Sequence, residues 1–356
     1  MLLEELDFPL PPGLIAQHPA VPRDSCRLLR LDRCTGSLAH HHFFELPELL
    51  CPGDLVVLND SRVLPARVMA RKSSGGRVEL LFLHPLEPAR PEKGELWEVL
   101  ARPSSRLRAG MLLSVGLDDA VELAAPVADG RWQVRGPVGA SLVGLMERHG
   151  NMPLPPYIKE RLADPAEYQT VYAREPGSAA APTAGLHFTP GLLARLEERG
   201  VDSVRVTLHV GLDTFRPIVE ETVESHAIHR EAYGVSRDSV AKIDAARLEG
   251  RRVVAVGTTS VRVLETLYAG SGPGEAAAGA LSGSTGVFIT PGYTFRAVDA
   301  LVTNFHLPHS SLLALVMAFA GVDGIRGAYA CAVREGYRFF SFGDAMLMDC
   351  RTGGAS

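Results

Sequence analysis

The sequence predicts an α/β protein interrupted by a small all-β insert, and three observations carry that reading. Apolar runs end in polar residues and give way to helical periodicity, as at Leu55–Leu58 before Asn59-Asp60-Ser61-Arg62 and at Arg252–Val256 before Gly257-Thr258-Thr259-Ser260. From about Val63 to Val143 the texture changes to short β-type runs punctuated by glycine and proline, the spacing of a small barrel or sandwich. Helical and mixed patterns return after Gly150.

With 356 residues, 46% of them hydrophobic, the chain has the length for about two domains and ample material for their cores. No charged-apolar-small leader opens it, and its longest apolar stretch, Leu312–Ala320, is too short to span a bilayer, so a cytoplasmic protein without membrane contact is expected. The five cysteines are odd in number and form no C-x-x-C pair, which points to reduced thiols rather than a disulfide framework or a thiolate zinc site. A net charge of −5 argues against indiscriminate nucleic-acid binding. Between Ser61 and Gly110, however, ten Lys and Arg face five Glu, and Arg71, Lys72 and Arg77 are the cations best placed there to meet phosphates.

Taken in order, the proline-rich opening leaves room for one helical turn at Leu14–Gln17 before Pro19. A strand is expected over Arg27–Leu31, then a turn at Thr35-Gly36, with His40-His41-His42 as a polar surface turn. Within the insert, β runs fall at Arg77–Leu83, Leu96–Ala101, Met111–Val115, Val121–Pro126 and Arg131–Arg135. Met152–Tyr157 is a stiff connector, and Val171–Ala173 is a candidate strand end. Thr189 as N-cap and Pro190 in the first turn open a helix over Gly191–Arg199. Val204–His209 alternates as a strand, and Asp238–Gly250 is a helix stopped by its glycine. The low-complexity stretch 270–286 is either a lid or a linker. Leu301–His306 precedes a helix over Leu312–Ala320, and residues 351–356 form a disordered tail.

Two loops attract chemistry. Gly177–Pro190 gathers small residues around Thr183, Gly185, His187 and Phe188 just before a helix, and a packing loop is its plainer alternative. Gly257-Thr258-Thr259-Ser260 offers hydroxyls and free N–H groups at the next helix start, without the G-K-[ST] of a Walker loop or a G-x-G-x-x-G. His187, His209, His226, His229, His306 and His309 lie beside strand ends and helix starts, where histidine suits proton transfer. The pairs His226/His229 and His306/His309 raise a metal-dependent hydrolase as a rival, although helical ligand pairs favour i, i+4 spacing and Pro308 excludes a helix at the second pair. His209, within an apolar run, reads as a satisfied core histidine. No G-x-S-x-G supports a serine hydrolase.

An ordered set of longer strings goes further: G-D-L-V-V-L-N-D-S-R-V-L-P-A-R, M-P-L-P-P-Y-I, G-S-A-A-A-P-T-A-G-L-H-F-T, H-V-G-L-D-T-F-R-P, V-G-T-T-S-V-R, T-N-F-H-L-P-H-S-S-L-L and Y-R-F-F-S-F-G-D-A-M-L. Across nearly its whole length the chain resembles the S-adenosylmethionine:tRNA ribosyltransferase-isomerases of queuosine biosynthesis. The resemblance implies an α/β, barrel-like main domain (1–62 and 151–350) with an inserted small all-β barrel (63–150). It implies a monomeric enzyme that consumes S-adenosylmethionine as a ribosyl donor, with no cofactor and no metal. The acceptor would be tRNA carrying 7-aminomethyl-7-deazaguanine at the wobble position, and the products epoxyqueuosine, adenine and methionine. A tRNA-binding module without catalysis is the remaining alternative.

On this reading His187 is the first choice as base, followed by His306 and His226. Glu231 and Asp344 are candidates for ribose hydroxyls or the adenine edge, and Phe188 or Phe305 for stacking on adenine. Thr183, Gly185, Gly257, Thr258, Thr259, Ser260, Arg262 and Asn304 complete the expected substrate contacts. The chain departs from the family pattern at Asp213, where glycine is usual, at Arg230, where serine is usual, and at Ser311, where threonine is common.

Overall fold

The computed structural model describes residues 1–86, 92–160, 162, 164–211, 217–270 and 281–350. It divides into two compact units, one of residues 1–61, 156–175 and 181–356, the other of residues 62–155 and 176–180. The short piece 176–180, which the sequence leaves with the main domain, packs with the insert: Leu64 N–H donates to the Ser178 carbonyl at 3.0 Å.

The main unit is built on a mixed nine-stranded sheet. Its strands are β1 (Arg27–Asp32), β2 (Leu38–His42), β3 (Leu55–Asn59), β4 (Asp202–Leu208), β5 (Glu231–Val235), β6 (Val253–Val256), β7 (Ser282–Thr285), β8 (Ala300–Asn304) and β9 (Ala345–Asp349). Their order across the sheet is β7-β5-β4-β3-β6-β8-β9-β1-β2. Every residue of β3, β6, β8 and β9 is buried, which is why these runs lack alternation: both faces of the central sheet are covered. One covering layer sets Phe43, Phe188, Leu192 and Leu196 against Val56, Leu58, Val254, Val256, Val302 and Leu347. Leu192 and Leu196 come from the helix Pro190–Glu198, which opens as its sequence predicts, with Thr189 Oγ1 accepting the Leu192 N–H at 3.1 Å.

Several expectations are corrected. The opening turn is a 3-10 turn at Pro12–Leu14, earlier than Leu14–Gln17. His40-His41-His42 closes edge strand β2 rather than forming a turn, with His40 bonded to Tyr337 and His41 to Glu45 at 2.8 Å each. Val171–Ala173 is a turn, and the strand in that region is Glu175–Ser178. Of the low-complexity stretch 270–286, residues 271–280 lie outside the described residues, and Ser282–Thr285 pairs in register with Glu231–Gly234 as β7. Asp213 and the tail 351–356 also lie outside them. The reduced-thiol expectation fails for one pair: Cys34 and Cys350 form a disulfide with Cα atoms 5.4 Å apart. Parallel pairing of β1 with β9, Asp32 opposite Asp349, brings together cysteines that are 316 residues apart in the chain.

The second unit holds a closed six-stranded antiparallel barrel of Arg67–Lys72, Arg77–Pro85, Leu96–Arg102, Leu112–Val115, Asp119–Pro126 and Arg131–Arg135. Closure comes from Arg67–Lys72, which pairs on one side with Arg77–Pro85 and on the other with Leu112–Val115, leaving no open edge between them. Strand Arg67–Lys72, which the β-run pattern of the sequence does not pick out, alternates cleanly: Val68 and Ala70 face the interior while Met69 and Arg71 are exposed. Val78, Leu80, Val99, Leu113, Val115, Leu123 and Val134 fill the barrel without measurable exposure, each burial contributing about 1.5–3 kcal/mol. Gly150 is required where the chain leaves the unit, because a Cβ there would lie 1.7 Å from the Pro65 carbonyl oxygen.

Candidate active site

Strands β3, β4, β6 and β8 run parallel in adjacent pairs, so their carboxyl ends present Asn59, His209, Gly257 and Asn304 along one edge of the sheet. In open α/β sheets that edge is where ligands bind. The loops that follow these strands, with the 3-10 turn Thr183–His187, form the candidate site.

Asn59 organises it. Its Oδ1 accepts the Leu208 and Ser61 N–H groups at 3.0 and 3.1 Å, and its Nδ2 donates to the Leu208 carbonyl at 3.1 Å and to Thr259 Oγ1 at 3.2 Å. Next to it Gly257 turns at φ +83°, a conformation a side chain would strain, and starts the helix Thr258–Leu267 without a side-chain cap. Thr258 and Thr259 are buried in that first turn, whereas Ser260 directs its hydroxyl to the Val256 carbonyl at 2.7 Å and has no hydrogen left to donate to a ligand.

Four side chains link the Thr183–His187 turn to β8 and to the start of β1. Thr183 Oγ1 donates to Asn304 Oδ1 at 2.9 Å, and the Asn304 amide donates to His187 Nε2 at 2.8 Å. Nδ1 of His187 therefore carries the hydrogen and directs it to Cys26 Sγ, 3.2 Å away. Burial pushes the His187 pKa down to about 3, helped by the positive charges of Arg338 and Arg23, while burial first and Asp344 second push the Cys26 thiol up. The chain of groups is neutral, and neither ring nitrogen of His187 is free to take a proton. His306 has Nε2 3.1 Å from Thr303 Oγ1, and burial lowers its pKa to about 3. His226 is half-buried, with Nδ1 2.9 Å from Glu220 Oε2.

Other expected contacts turn out to be structural. Phe188 is fully buried edge-on against Phe43 and Tyr172, and Phe305 packs among Tyr329, Tyr337 and Phe339, so their reading as adenine platforms is corrected: both rings are core. Asp344 accepts the Arg27 N–H at 2.9 Å and the Arg338 N–H at 2.7 Å, clamping β1 to the turn before β9. Glu231 forms a buried ion pair with Arg262 and accepts the Gly211 N–H at 2.7 Å, while Arg262 reaches the carbonyls of Val287 and Thr285. This pair fixes the end of the H-V-G string rather than presenting free donors. Arg230 bonds Ser284 Oγ at 3.0 Å and its carbonyl at 2.7 Å, and Ser311 is the first residue of the helix Ser311–Ala320. Among the described residues, no group of three metal-ligating side chains includes His226, His229, His306 or His309; the group present is Asp32 with the bonded Cys34 and Cys350. No single described helix is long and apolar enough to cross a membrane.

The structure singles out one member of the polar run that follows β3. Asp60, one residue past β3 and 5% exposed, accepts the Thr207 hydroxyl at 2.7 Å on Oδ1. The Arg205 guanidinium lies 5.0 Å from the centre of the Tyr172 ring. His209 is not the satisfied core histidine expected: its Nδ1 is buried without a partner among the described residues, as is Oγ1 of Thr170. Gly185 makes room here, since a Cβ on it would meet the Tyr172 hydroxyl at 2.0 Å and the Thr170 methyl at 2.9 Å. The signal available in the sequence was the polar run directly after β3.

On the barrel, Arg71 stands directly opposite Arg77 across a strand pair, both exposed, whereas Lys72 alternates to the other side.

Comparison with known proteins agrees with this architecture. Residues 3–348 match the family described as Queuosine biosynthesis protein. The chain is 53% identical over 348 residues to the S-adenosylmethionine:tRNA ribosyltransferase-isomerase of Rubrobacter xylanophilus, covering 98% of each chain. It is 52% identical over 352 residues to that of Moorella thermoacetica, covering 98% of this chain and all of the relative. A crystal structure of S-adenosylmethionine tRNA ribosyltransferase from Thermotoga maritima is similar with a TM-score of 0.55 and 39% identity, covering 97% of this chain and 99% of that one. With a mixed main sheet, a closed small barrel and a match along nearly its entire length, the chain belongs to the queuosine biosynthesis protein family.

Proposed function

We propose that the chain transfers and isomerises the ribosyl part of S-adenosylmethionine onto 7-aminomethyl-7-deazaguanine in the wobble position of tRNA, releasing adenine and methionine. The observation that carries this is identity of about half of all residues, end to end, with relatives bearing that enzyme's name. The sulfonium of the donor acidifies the adjacent 5′ C–H, so the reaction needs a base there, help for the departing adenine, and a neutral amine as nucleophile.

We assign the donor to the edge formed by Asn59, Gly257–Thr259, Thr183 and Asn304. His187 serves as a positioning residue: it holds Asn304, which in turn orients Thr183. His226, half-buried with Nδ1 2.9 Å from Glu220, is the third histidine expected at the site. The enzyme acts as a cytoplasmic monomer without metal or cofactor, which sedimentation and chelation would test.

The deciding assay supplies the purified protein with S-adenosylmethionine and tRNA bearing the deazaguanine precursor in the presence of EDTA. Adenine and methionine should appear in equal amounts. A metal-dependent hydrolase would stop on chelation, and a binding module would hold tRNA without releasing adenine; either result overturns the reading.

A further inference from the structure

Proton removal from carbon needs a carboxylate or imidazole that has a free lone pair, is shielded from water and lies at the donor's edge of the sheet. His187 meets the last two conditions and fails the first, since both its ring nitrogens are engaged. Asp60 meets all three. It follows β3 directly at the carboxyl edge, its backbone carbonyl is fixed by the Arg174 N–H at 2.7 Å, and its side chain is fixed by Thr207. A carboxylate offers about four lone-pair sites, so accepting the Thr207 hydroxyl leaves lone pairs on Asp60 for a proton. His209, close enough to Asp60 to feel its charge, has a buried Nδ1 with no partner among the described residues, as does Thr170 at Oγ1. Buried polar atoms are almost always hydrogen-bonded, so an open one such as His209 Nδ1 is available to a polar group of a ligand.

We infer that Asp60 is the base that removes the 5′ proton of the donor, an assignment that rests on the ribosyl-transfer reading above. The C–H bond breaks, its electron pair stays on the carbon beside the sulfonium, and the proton forms an O–H bond on the carboxylate, from which it returns to solvent at turnover. His209 meets a polar group of the ribose or the acceptor amine.

The charged and titratable groups around Asp60 are Glu175, Arg205, Tyr172 and His209. Burial raises the Asp60 pKa above the usual carboxylate value and Glu175 adds to this, while the Thr207 hydroxyl and Arg205 oppose it. A base of raised pKa gives kcat/KM an acid limb above the ordinary carboxylate range, and removing Thr207's hydrogen bond must move that limb to still higher pH.

The test measures adenine release against pH for the wild type, Asp60→Asn and Thr207→Val, with equilibrium binding of S-adenosylmethionine alongside. Asp60→Asn should lose turnover by about 10² or more while donor binding changes little. Thr207→Val should shift the acid limb upward. Wild-type turnover by Asp60→Asn, or an unmoved limb in Thr207→Val, overturns the inference. If Asp60→Asn does not fold, the limb in Thr207→Val still decides. A wild-type protein that releases no adenine would instead overturn the proposed function.

Discussion

Asn304 donates its side-chain amide to Nε2 of His187 at 2.8 Å, and that bond fixes the imidazole as the neutral Nδ1–H form. A proton on Nε2 would face the amide hydrogens in a buried site. The consequence is a stability that depends on pH. His187 and His306 titrate near 3 in the folded protein, against about 6.5 when unfolded. Above pH ~6.5 both states are neutral and the folded protein keeps its full stability. As pH falls from there towards 3, only the unfolded chain takes up the protons, and stability is lost. Each histidine then approaches about 1.4 kcal/mol per pH unit. Urea unfolding between pH 6 and 5 should show His306→Gln with a slope shallower than wild type by about that amount. An equal slope would mean that His306 titrates freely.

Gly185 matters through what it leaves out. A Cβ there would lie 2.0 Å from the Tyr172 hydroxyl and 3.0 Å from the ring carbon bearing it. Gly185→Ala should therefore push Tyr172 off Arg205, lower stability by about 1–3 kcal/mol through overpacking, and slow adenine release at least ~10-fold. Tyr172→Phe removes the clashing oxygen, so the double variant should recover most of the stability in thermal unfolding. Losses that simply add would place the Gly185 effect elsewhere.

The sequence disclosed the frame of this protein more fully than its site. Apolar runs such as Leu55–Leu58 and the cap at Thr189 follow from local rules, and so do most strands of the barrel. Burial is not local. Nothing adjacent to Phe188 or Phe305 tells a ring in the core from a ring in a pocket, and the difference appears only when distant aromatics close around them. Glu231 and Arg262 are 31 residues apart, and the ion pair that occupies both arises from the folding of β5 against the helix Thr258–Leu267. His187 was conspicuous as a histidine in a small-residue loop, yet its two partners come from residues 26 and 304. Asp60 is less legible because one aspartate after a strand resembles any other until the fold sets Thr207 and Tyr172 near it.

How an acidic protein holds tRNA is decided by which cations share a face. A net charge of −5 repels phosphates overall, so affinity must come from local positive density. Arg71 and Arg77 are cross-strand partners on the outside of the barrel, close enough to engage neighbouring phosphates. Lys72 alternates away from them. Replacing both arginines with glutamine should therefore weaken tRNA binding and reduce the slope of log K against log salt by about two, since each phosphate that is no longer neutralised keeps nearly one counterion that binding would have released. Lys72→Gln should change that slope by less than either arginine. Binding of S-adenosylmethionine should be unaffected in all of these variants. A double variant with the wild-type salt slope in filter-binding titrations would show that the barrel's arginine pair does not carry the tRNA.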